Sequence, residues 1–527
     1  MCRGLKAKLL AKLGKINQMK KYLYFNVFIA GLTTIATEFV ASRSLQNIYG
    51  ASNFVWATII GLIMIYFALG YHFGGRFAER TDSMVGMLRL QILAAGLLSV
   101  IPIFSNVVLA KGAIAFDQIN LPAMVGAFIS VIILYSVPVI ILAMTTPIVI
   151  RQLHSLGKKV GEVAGNVNSI STLGSVLGAF IPTLWLFGTF GTAKSMQLIA
   201  AIMLVTSLIG LYLIQNQIRY LWIIAITILL EVFILGLDFP IKNTPGQVFE
   251  TESAYNYIEV VQVDEDVLLR LNEGQGYHSQ YNPNTNYYAG PWELFLLAPL
   301  FSEMQDPLSI DHILVVGMAA GTTLTQAAII YPDAALTGIE LDPEIIEVGI
   351  QYFNLNPARH NIIVGDGRYE LGRIQDKQDL IIVDAYTPPY IPPHLVTKEF
   401  FEICKSKLDH GGIIAINVGR MPDDRSLIND LATTINTEFE HLVIADLPET
   451  FNTIIFASND PLKIENLTRN YLGLDPKDPG EWLLIVTAQN IFNGLRSDFE
   501  EGSIYSDDLS RIEWVTNRMI FNFLLSQ

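Results

Sequence analysis

Long apolar runs fill the chain from Tyr22 to Phe239, whereas shorter apolar runs alternate with polar stretches in the remainder. Seven of the long runs have enough residues to cross a bilayer as a helix. Small residues recur within them, and the spacing of Gly174 and Gly178 favours close helix packing. The pattern predicts a transmembrane helical domain over residues 22–239. Its spans lie approximately at residues 22–41, 54–74, 85–109, 123–150, 164–188, 194–214 and 220–238.

The segment before the first span, residues 1–21, is rich in lysine and has leucines at helical spacing. This pattern predicts a basic amphipathic helix on an anionic membrane surface. The loops at 75–84, 151–163 and 215–219 also carry Lys and Arg and lie on the same side as this segment. Because positive loops stay in the cytoplasm, the N-terminus is predicted to be cytoplasmic in a multi-pass protein of the cell membrane.

Residues 240–527 show the alternation of a soluble α/β domain. Two short strand patterns, Tyr257 to Val263 and Val267 to Leu271, flank an acidic turn and predict a small β lid over residues 240–300. From residue 301 onwards, apolar strand patterns alternate with helical ones. Such alternation predicts a doubly wound sheet that binds ligands at the carboxyl ends of its strands.

One stretch of this domain, Ile313 to Glu340, reads as a strand, a turn with two glycines, a helix and a second strand. Gly317 allows a sharp backbone turn, and Gly321 allows a ligand to approach the start of the helix. Glu340 follows the turn by about 20 residues, where an acid accepts hydrogen bonds from a ribose. The stretch predicts a nucleoside site, although a strand, turn and helix without a ligand would have the same glycines.

Two further acids follow predicted strands. Asp366 stands within Gly365-Asp-Gly367, and Asp384 ends the apolar run that begins at Leu380. In a doubly wound sheet these positions share one edge with Gly321 and Glu340. Because four such positions lie at one edge, a ligand site is favoured over a strand, turn and helix that bind no ligand.

Composition and charge narrow the classes of function. The chain is 51% hydrophobic with a mean hydropathy of +0.40, which is too apolar for an ordinary soluble enzyme. Its net charge is −15, and no basic tract follows the N-terminal segment, so nucleic acid is not a predicted partner. The two cysteines, Cys2 and Cys404, and the histidine spacing predict neither a disulfide framework nor a metal site.

Several motifs carry a resemblance to a known family. The sequences GMAAGTTL, GIELDP, VGDGR and IIVDAYTPPYIPPHLVTKEFF resemble spermidine synthases, the polyamine aminopropyltransferases that share the class I methyltransferase fold. SAYNYIEVV and LNEG resemble the β lid of that family. The whole chain resembles the membrane-fused spermidine synthase-like proteins of prokaryotes, and the tail YSDD also fits that group. The resemblance implies a nucleoside-binding domain of this kind over residues 301–527.

The resemblance also implies the reaction and the roles of residues. An amine such as putrescine would attack decarboxylated S-adenosylmethionine, and methylthioadenosine would leave. Glu340 would hold the ribose, and Asp366 with Gly367 would hold the adenine amino group, while Gly317 and Gly321 line the nucleoside. Asp384 would be the catalytic base. The segment from Tyr386 through Thr387 to Pro393 would be a gate that closes over the substrates.

The chain departs from the family pattern on the amine side. Ala320 stands where the glycine turn normally has an acid, and Thr387 replaces the second acid of the gate. Trp292 replaces a substrate-binding histidine of the lid, beside the retained Glu293. In the altered lid motif LNEGQGYHS, Gln275 and His278 are both candidates for the nucleoside role. A standard putrescine pocket, which needs acids to pair with two ammonium groups, is therefore in question.

Three hypotheses remain open at this point. The first is a membrane-anchored aminopropyltransferase with an unusual or less charged amine acceptor. The second is an S-adenosylmethionine-dependent methyltransferase acting on a membrane-borne substrate. The third is a non-catalytic or transport-coupled protein that only binds nucleoside. The expected partners are a small-molecule amine and membrane lipid, with a homodimer left open.

The side of the membrane that the C-terminal domain occupies also stays open. A cytoplasmic N-terminus followed by seven spans would place this domain outside the cell, whereas its nucleoside co-substrate is made inside. Either one segment does not span, or the domain works outside, or it no longer uses that co-substrate.

Overall fold

The computed structural model describes residues 2–526 except 50–52, 81–82, 119–122, 157–158, 237–239, 243, 273–275, 304–305 and 387–389. The chain separates into two compact units with packed interiors of their own. The first unit comprises Met1–Asn243 and Glu252–Ala254, and the second comprises Thr244–Thr251 and Tyr255–Gln527.

The described residues of Met1–Asn243 are almost entirely helical. A π-helical turn at Pro182–Leu186 joins two of the helices, where the proline lacks the N–H that a regular helix would use. Gly191, with φ +71°, interrupts the helix that follows. The helices are α1 (Cys2–Tyr49), α2 (Asn53–Ala78), α3 (Ser83–Gln118), α4 (Ala123–Ala143), α5 (Thr145–Ser155), α6 (Val160–Ile181), α7 (Phe187–Gln215) and α8 (Arg219–Leu235).

Glycines bring α1 and α6 into close contact. A Cβ added at Gly174 would lie 2.0 Å from the carbonyl oxygen of Phe28, and one at Gly178 would lie 2.3 Å from that of Leu32. Both distances are far below a van der Waals contact, so any larger residue would force the helices apart. The predicted small-residue seam is therefore a packing surface between these two helices.

Five stretches among the described residues are long and apolar enough to cross a membrane. The last of them, Val160–Gln215, contains the π turn and the break at Gly191, and α8 has 17 residues. Large apolar side chains point outward along these helices, as with Leu184 and Leu229, which are 78% and 70% exposed. Such a surface is unfavourable in water and marks a contact with lipid or with another protein. The number of seven spans stays a prediction.

The second unit contains two sheets. The predicted β lid is a four-stranded sheet in the order β1-β2-β3-β4, and an acidic turn joins its two central strands, with Asp264 at φ +53°. Its strands are β1 (Gln247–Glu252), β2 (Tyr257–Val263), β3 (Asp266–Leu271) and β4 (Ser279–Tyr281).

The larger sheet has eight strands in the order β12-β10-β11-β9-β8-β5-β6-β7. Its buried strands, such as β5, are continuous apolar runs because helices cover both faces. Its elements are α9 (Pro291–Phe295), β5 (His312–Val316), α10 (Thr322–Ile330), β6 (Ala335–Glu340), α11 (Pro343–Tyr352), β7 (Asn361–Val364), α12 (Gly367–Arg373), β8 (Gln378–Val383), α13 (Lys398–Lys407), β9 (Leu408–Gly419), α14 (Ser426–Ile435), β10 (His441–Asp446), β11 (Asn452–Ser458), α15 (Ile464–Tyr471), α16 (Pro479–Ile491), β12 (Leu495–Arg496) and α17 (Ile512–Ser526).

The doubly wound prediction requires one correction, because the sheet is mixed. Strands β7, β6, β5, β8 and β9 are parallel, whereas β11 runs antiparallel to both β9 and β10. The reason is local: the loop 447–451 between β10 and β11 is a hairpin connection, too short for the crossover that parallel strands need. As a result β10 points the same way as β9, and its last residue, Asp446, lies at the carboxyl edge of the parallel strands.

Candidate active site

The turn after β5 has the backbone geometry that its glycines predicted. Gly317 has φ +79°, and a Cβ there would lie 2.6 Å from Cα of Ala385. Gly321 has φ +90° and caps the start of α10, where a Cβ would lie 2.5 Å from Leu355. Both positions combine a left-handed conformation with a close neighbour, so a side chain would be strained at either.

Glu340 ends β6 beside this turn. The Ala319 N–H donates to its Oε2 at 3.0 Å, and the Asp342 N–H donates to its Oε1 at 3.1 Å. A carboxylate has about four lone-pair sites, so each oxygen keeps capacity for a further donor. Desolvation by burial raises the pKa of Glu340 to about 7. The carboxylate is thus fixed against the turn and can still accept hydrogen bonds from a diol.

Asp366 follows β7 and caps α12. Its Oδ1 accepts a hydrogen bond from the Tyr369 N–H at 2.9 Å, and its Oδ2 lies 3.0 Å from Nε2 of His394. A Cβ at the neighbouring Gly367 would lie 2.4 Å from Val316, so only glycine fits against the end of β5. Both residues therefore lie at the same sheet edge as Gly317, and about half of the Asp366 side chain stays exposed.

Asp384 follows β8, next to β5. Its N–H donates to the carbonyl of Val316 at 2.9 Å, which ties it to the glycine turn. Its Oδ1 accepts from Nδ2 of Asn417 on β9 at 2.9 Å. Burial raises the pKa of Asp384 to about 6, and the hydrogen bond from Asn417 opposes this rise. The carboxyl is a base that ionises just below neutral pH.

Tyr386 lies on the other side of Asn417. Its hydroxyl donates to the Asn417 carbonyl at 3.3 Å. Burial and the nearby Asp384 carboxylate raise the pKa of Tyr386, so the phenol stays protonated. The Oδ1 atom of Asn417 is buried and has no hydrogen-bond partner in the part of the chain that the structure describes. Asn417 therefore binds Asp384 through its amide nitrogen, and its amide oxygen is an acceptor without a partner in the described part of the chain.

The lid contributes residues beside the glycine turn. The Ala320 N–H donates to Oγ of Ser279 at 3.0 Å, and the Gln280 N–H donates to Oγ1 of Thr322 at 3.0 Å. His278 precedes β4, and its Nε2 is buried without a hydrogen-bond partner among the described residues. Burial lowers the pKa of His278 to about 4, so its ring is neutral at pH 7.

Glu293 caps its own helix. Its carboxylate accepts hydrogen bonds from the N–H groups of Tyr288 and Gly290, and the side chain is buried. Burial raises the pKa of Glu293 to about 7. The neighbouring Trp292 is also buried and packs edge-on against Tyr288, with ring centroids 6.1 Å apart. Glu293 and Trp292 therefore hold the start of α9 against the turn that precedes it.

Part of the predicted gate is described. Residues 387–389 lie outside the described residues, and Thr387 is one of them; the lid candidate Gln275 is likewise outside. Beyond the gap, Tyr390 and Ile391 are buried, and the Tyr390 hydroxyl donates to Oδ1 of Asn517 on α17 at 2.5 Å.

Two features escaped the sequence analysis. One is Asn417, whose role depends on the pairing of β8 with β9. The other is a group of three arginines, Arg420, Arg425 and Arg496, around Asp446 at the carboxyl edge. The sequence carries no signal that links Asn417 to Asp384 or Arg496 to Asp446. In the described part of the chain, no group of three His, Cys, Asp or Glu side chains could hold a metal ion.

Comparisons with known proteins give matches to the part of the chain that contains this site. The spermine/spermidine synthase domain model matches residues 299–465. A probable polyamine aminopropyl transferase from Bifidobacterium longum is 31% identical over 212 residues, which make up 40% of this chain and 46% of that protein. An N-terminal histidine N-methyltransferase from Emericella nidulans is 37% identical over 112 residues, 20% of each protein. This chain thus spans less than half the length of either relative.

Among solved structures, a probable spermidine synthase from Corynebacterium glutamicum covers 50% of this chain and 98% of its own, with 20% identity and a TM-score of 0.38. The family model spans the elements that hold the glycine turn, Glu340, Asp366 and Asp384. Residues 299–465 are thus similar to the spermine/spermidine synthase domain and to a relative named as a polyamine aminopropyl transferase.

Proposed function

We propose that the second unit transfers the aminopropyl group of decarboxylated S-adenosylmethionine to an amine acceptor. The observation that carries the proposal is the position of Asp384. Its carboxyl follows β8 at the edge that also holds Gly317 and Glu340, and burial raises its pKa to about 6. A base placed beside a nucleoside site is the arrangement that amine alkylation needs.

The nucleoside half of the proposal rests on Glu340 and the glycine turn. Glu340 keeps free lone pairs for the two ribose hydroxyls, and the positive φ of Gly317 and Gly321 shapes the turn whose Ala319 N–H holds that carboxylate. Asp366 offers a half-exposed carboxylate for the adenine amino group. The buried Nε2 of His278 is a further polar atom beside the turn that a nucleoside hydroxyl would satisfy.

The role of Asp384 toward the acceptor amine follows from the protonation state of that amine. A primary amine has a pKa of about 10.4 and is protonated at neutral pH, so it must lose a proton before it can attack. An ionised Asp384 accepts that proton while the nitrogen bonds to the aminopropyl carbon. The carbon–sulfur bond breaks, and its electron pair stays on sulfur as methylthioadenosine leaves. No metal ion is needed for this step.

We also propose that the first unit anchors the enzyme in a lipid membrane. Five stretches of sufficient length and apolarity, with outward-facing leucines such as Leu184, support this placement. The acids Glu38 and Glu231 are each 8% exposed, so they are shielded from the surface that lipid would contact.

A first experiment tests nucleoside binding. Calorimetry of the detergent-solubilised full chain with methylthioadenosine should give a binding heat that Glu340→Ala abolishes, because the alanine cannot accept the ribose hydroxyls. Equal heats from both proteins, or none from either, would reject the site. The exposed Asp333, at the amino end of β6, provides the control variant Asp333→Asn.

A second experiment tests transfer. Mass spectrometry of products from decarboxylated S-adenosylmethionine and an amine mixture should show a gain of one aminopropyl group. Asp384→Asn should lower the rate by about 10²–10⁴, the usual loss when a general base is removed. It should keep nucleoside affinity, because Asn also accepts a hydrogen bond. Near-normal turnover by this variant would contradict a base at Asp384.

The second candidate function is methyl transfer, which the relative named N-terminal histidine N-methyltransferase favours. The two reactions share the nucleoside site and differ in the group that moves. The same assay with S-adenosylmethionine would then show a methyl gain, and aminopropyl products would be absent. Nucleoside binding without either product would leave a protein that only binds the nucleoside.

A further inference from the structure

Three arginines surround one carboxylate at the carboxyl edge of the large sheet. Arg425 donates to both oxygens of Asp446, at 2.7 and 3.1 Å, and Arg496 donates to its Oδ2 at 2.7 Å. Arg420 approaches the same carboxylate only to 3.7 Å. Thr453 donates a further hydrogen bond to Asp446 at 2.7 Å. The group therefore has three positive charges against one negative charge.

Of the three arginines, Arg420 is the one whose side chain donates no hydrogen bond to Asp446. Among the described residues its side chain donates one hydrogen bond, to the Leu447 carbonyl at 3.3 Å, and its buried Nε faces Asp446 without reaching hydrogen-bond distance. The side chain is only 15% exposed. A guanidinium has five donors in a fixed fork and cannot lose its charge, so a buried one with free donors favours an anion beside it.

Strand pairing places this group next to the proposed base. Asn417 binds the Asp384 carboxyl near the end of β9, and Arg420 directly follows the last residue of that strand, Gly419. A Cβ at Gly419, between the two, would be 3.8 Å from the Tyr386 hydroxyl oxygen. Asp446 is two strands from β9, or about 10 Å at the usual strand spacing. Base and arginines thus border one stretch of the sheet edge.

We propose that the amine acceptor carries an anionic group, a carboxylate or a phosphate, that binds Arg420. The inference rests on the proposed transfer reaction and specifies its acceptor. The attacking amine lies at Asp384 and the unpartnered Oδ1 of Asn417, and the anionic end of the same molecule binds the free donors of Arg420. A diamine would instead bring a second ammonium toward an excess of positive charge.

An acceptor with an anionic group reacts by the same bond changes as those proposed above. The acceptor nitrogen bonds to the aminopropyl carbon, the carbon–sulfur bond breaks toward sulfur, and Asp384 takes the ammonium proton. Arg420 touches only the far end of the acceptor, so it determines specificity and orientation. Its substitution should therefore change the choice of acceptor and leave nucleoside binding intact.

The experiment compares three acceptors of similar length with the full chain in detergent: 1,4-diaminobutane, 4-aminobutanoate and 3-aminopropyl phosphate. With decarboxylated S-adenosylmethionine, wild type should have a higher kcat/KM for an anionic acceptor than for the diamine. The better of the two anionic acceptors identifies the group as carboxylate or phosphate. Arg420→Gln should lower kcat/KM for that acceptor by roughly 10- to 100-fold, the effect of losing a hydrogen bond to a charged group.

Two further variants isolate the effect of charge. Arg420→Glu should reverse the preference and improve use of the diamine, whereas Arg469→Gln, the same change as Arg420→Gln made on the exposed side of α15, should change nothing. Equal methylthioadenosine binding by wild type and the Arg420 variants checks that they fold. Better use of the diamine by wild type, or equal loss on all acceptors in Arg420→Gln, would overturn the inference.

Failure of the transfer reaction itself is distinguishable. If no acceptor of any charge yields an aminopropyl product, the proposed function fails. Calorimetry of the two anionic amines with protein preloaded with methylthioadenosine then decides the binding site separately. Binding that Arg420→Gln abolishes would support an anion site, and binding that is absent or unaffected by the variant would reject it.

Discussion

The pair of Asp384 and Asn417 determines how the proposed base responds to pH. Burial raises the pKa of the Asp384 carboxyl to about 6, because the charged form loses water. The hydrogen bond from Asn417 Nδ2 opposes burial, because it stabilises the charged form. The base is therefore ionised at neutral pH and becomes protonated below about pH 6.

Removal of the Asn417 side-chain amide should shift the pKa of the Asp384 carboxyl. In Asn417→Ala the charged form loses its donor, so the pKa of Asp384 rises and the acidic limb of kcat/KM shifts to higher pH. The measurement is a pH profile of aminopropyl transfer by wild type and variant. The exposed Asn361, at the start of β7, supplies the control Asn361→Ala, which should keep the wild-type profile. An unshifted limb in Asn417→Ala would mean that Asp384 is not the titrating base.

At the scale of residues, the sequence predicts best what local backbone chemistry requires. Gly317 and Gly321 were predictable because a turn into a helix needs positive φ, and φ is +79° and +90° at these two residues. Glu340 and Asp384 were predictable as acids that end apolar strands. Asn417 and Arg420 were not, because their relation to the base appears only when β8 pairs with β9. Long-range register is absent from a single sequence.

Among the elements, strands with an unbroken apolar pattern were predicted well. The range Tyr257 to Val263 coincides with β2, and the range Val267 to Leu271 covers all of β3 except its first residue. The direction of β11 was not predictable from its own residues. It depends on the short loop before it, which makes a hairpin with β10 and turns a parallel sheet into a mixed one.

The tail motif connects three elements. Arg368 of α12 donates to both oxygens of Asp507, at 2.6 and 2.7 Å, and the Thr397 hydroxyl at the start of α13 donates to Oδ1 at 2.8 Å. The Lys398 N–H donates to the Tyr505 carbonyl at 2.9 Å. The tail thus holds the beginning of α13, just after the predicted gate segment.

Loss of the tail carboxylate should weaken this connection moderately. Nearly half of the Asp507 side chain is exposed, so Asp507→Asn should cost at most about 1 kcal/mol, the range of solvent-screened ion pairs. The full chain should unfold a few degrees lower in a thermal scan, by about 2–4 °C. The exposed neighbour Asp508 provides the matched control Asp508→Asn, which should unfold like wild type.

The same contact should depend on pH in a defined direction. The hydrogen bonds from Arg368 hold the pKa of Asp507 below its usual range, so its contribution to stability is complete above about pH 4. As pH falls through the lowered pKa, the carboxylate is protonated and the contribution is lost. The difference between wild type and Asp507→Asn should therefore shrink in acid, and a constant difference would contradict the assigned contact.

For the whole molecule, composition predicted a membrane part and an α/β part, and the structure has a helical unit and a unit with two sheets. The number of crossings was harder to predict, because apolar length alone does not distinguish a full span from a shorter helix. Helix α8 has 17 residues, which extend about 25 Å and fall short of a hydrocarbon core of about 30 Å. An even number of crossings would return the chain to its starting side.

We therefore predict that the second unit faces the cytoplasm. The positive N-terminal segment favours a cytoplasmic start, and the proposed nucleoside co-substrate is made inside the cell. Cysteine labelling in intact cells measures this: Cys2→Ser leaves the buried Cys404, and Lys477→Cys adds an exposed thiol on the second unit. A membrane-impermeant maleimide should label this thiol only after permeabilisation, and the Cys2→Ser protein without it should stay unlabelled. Labelling of intact cells would place the unit outside and would favour an odd number of spans that includes α8.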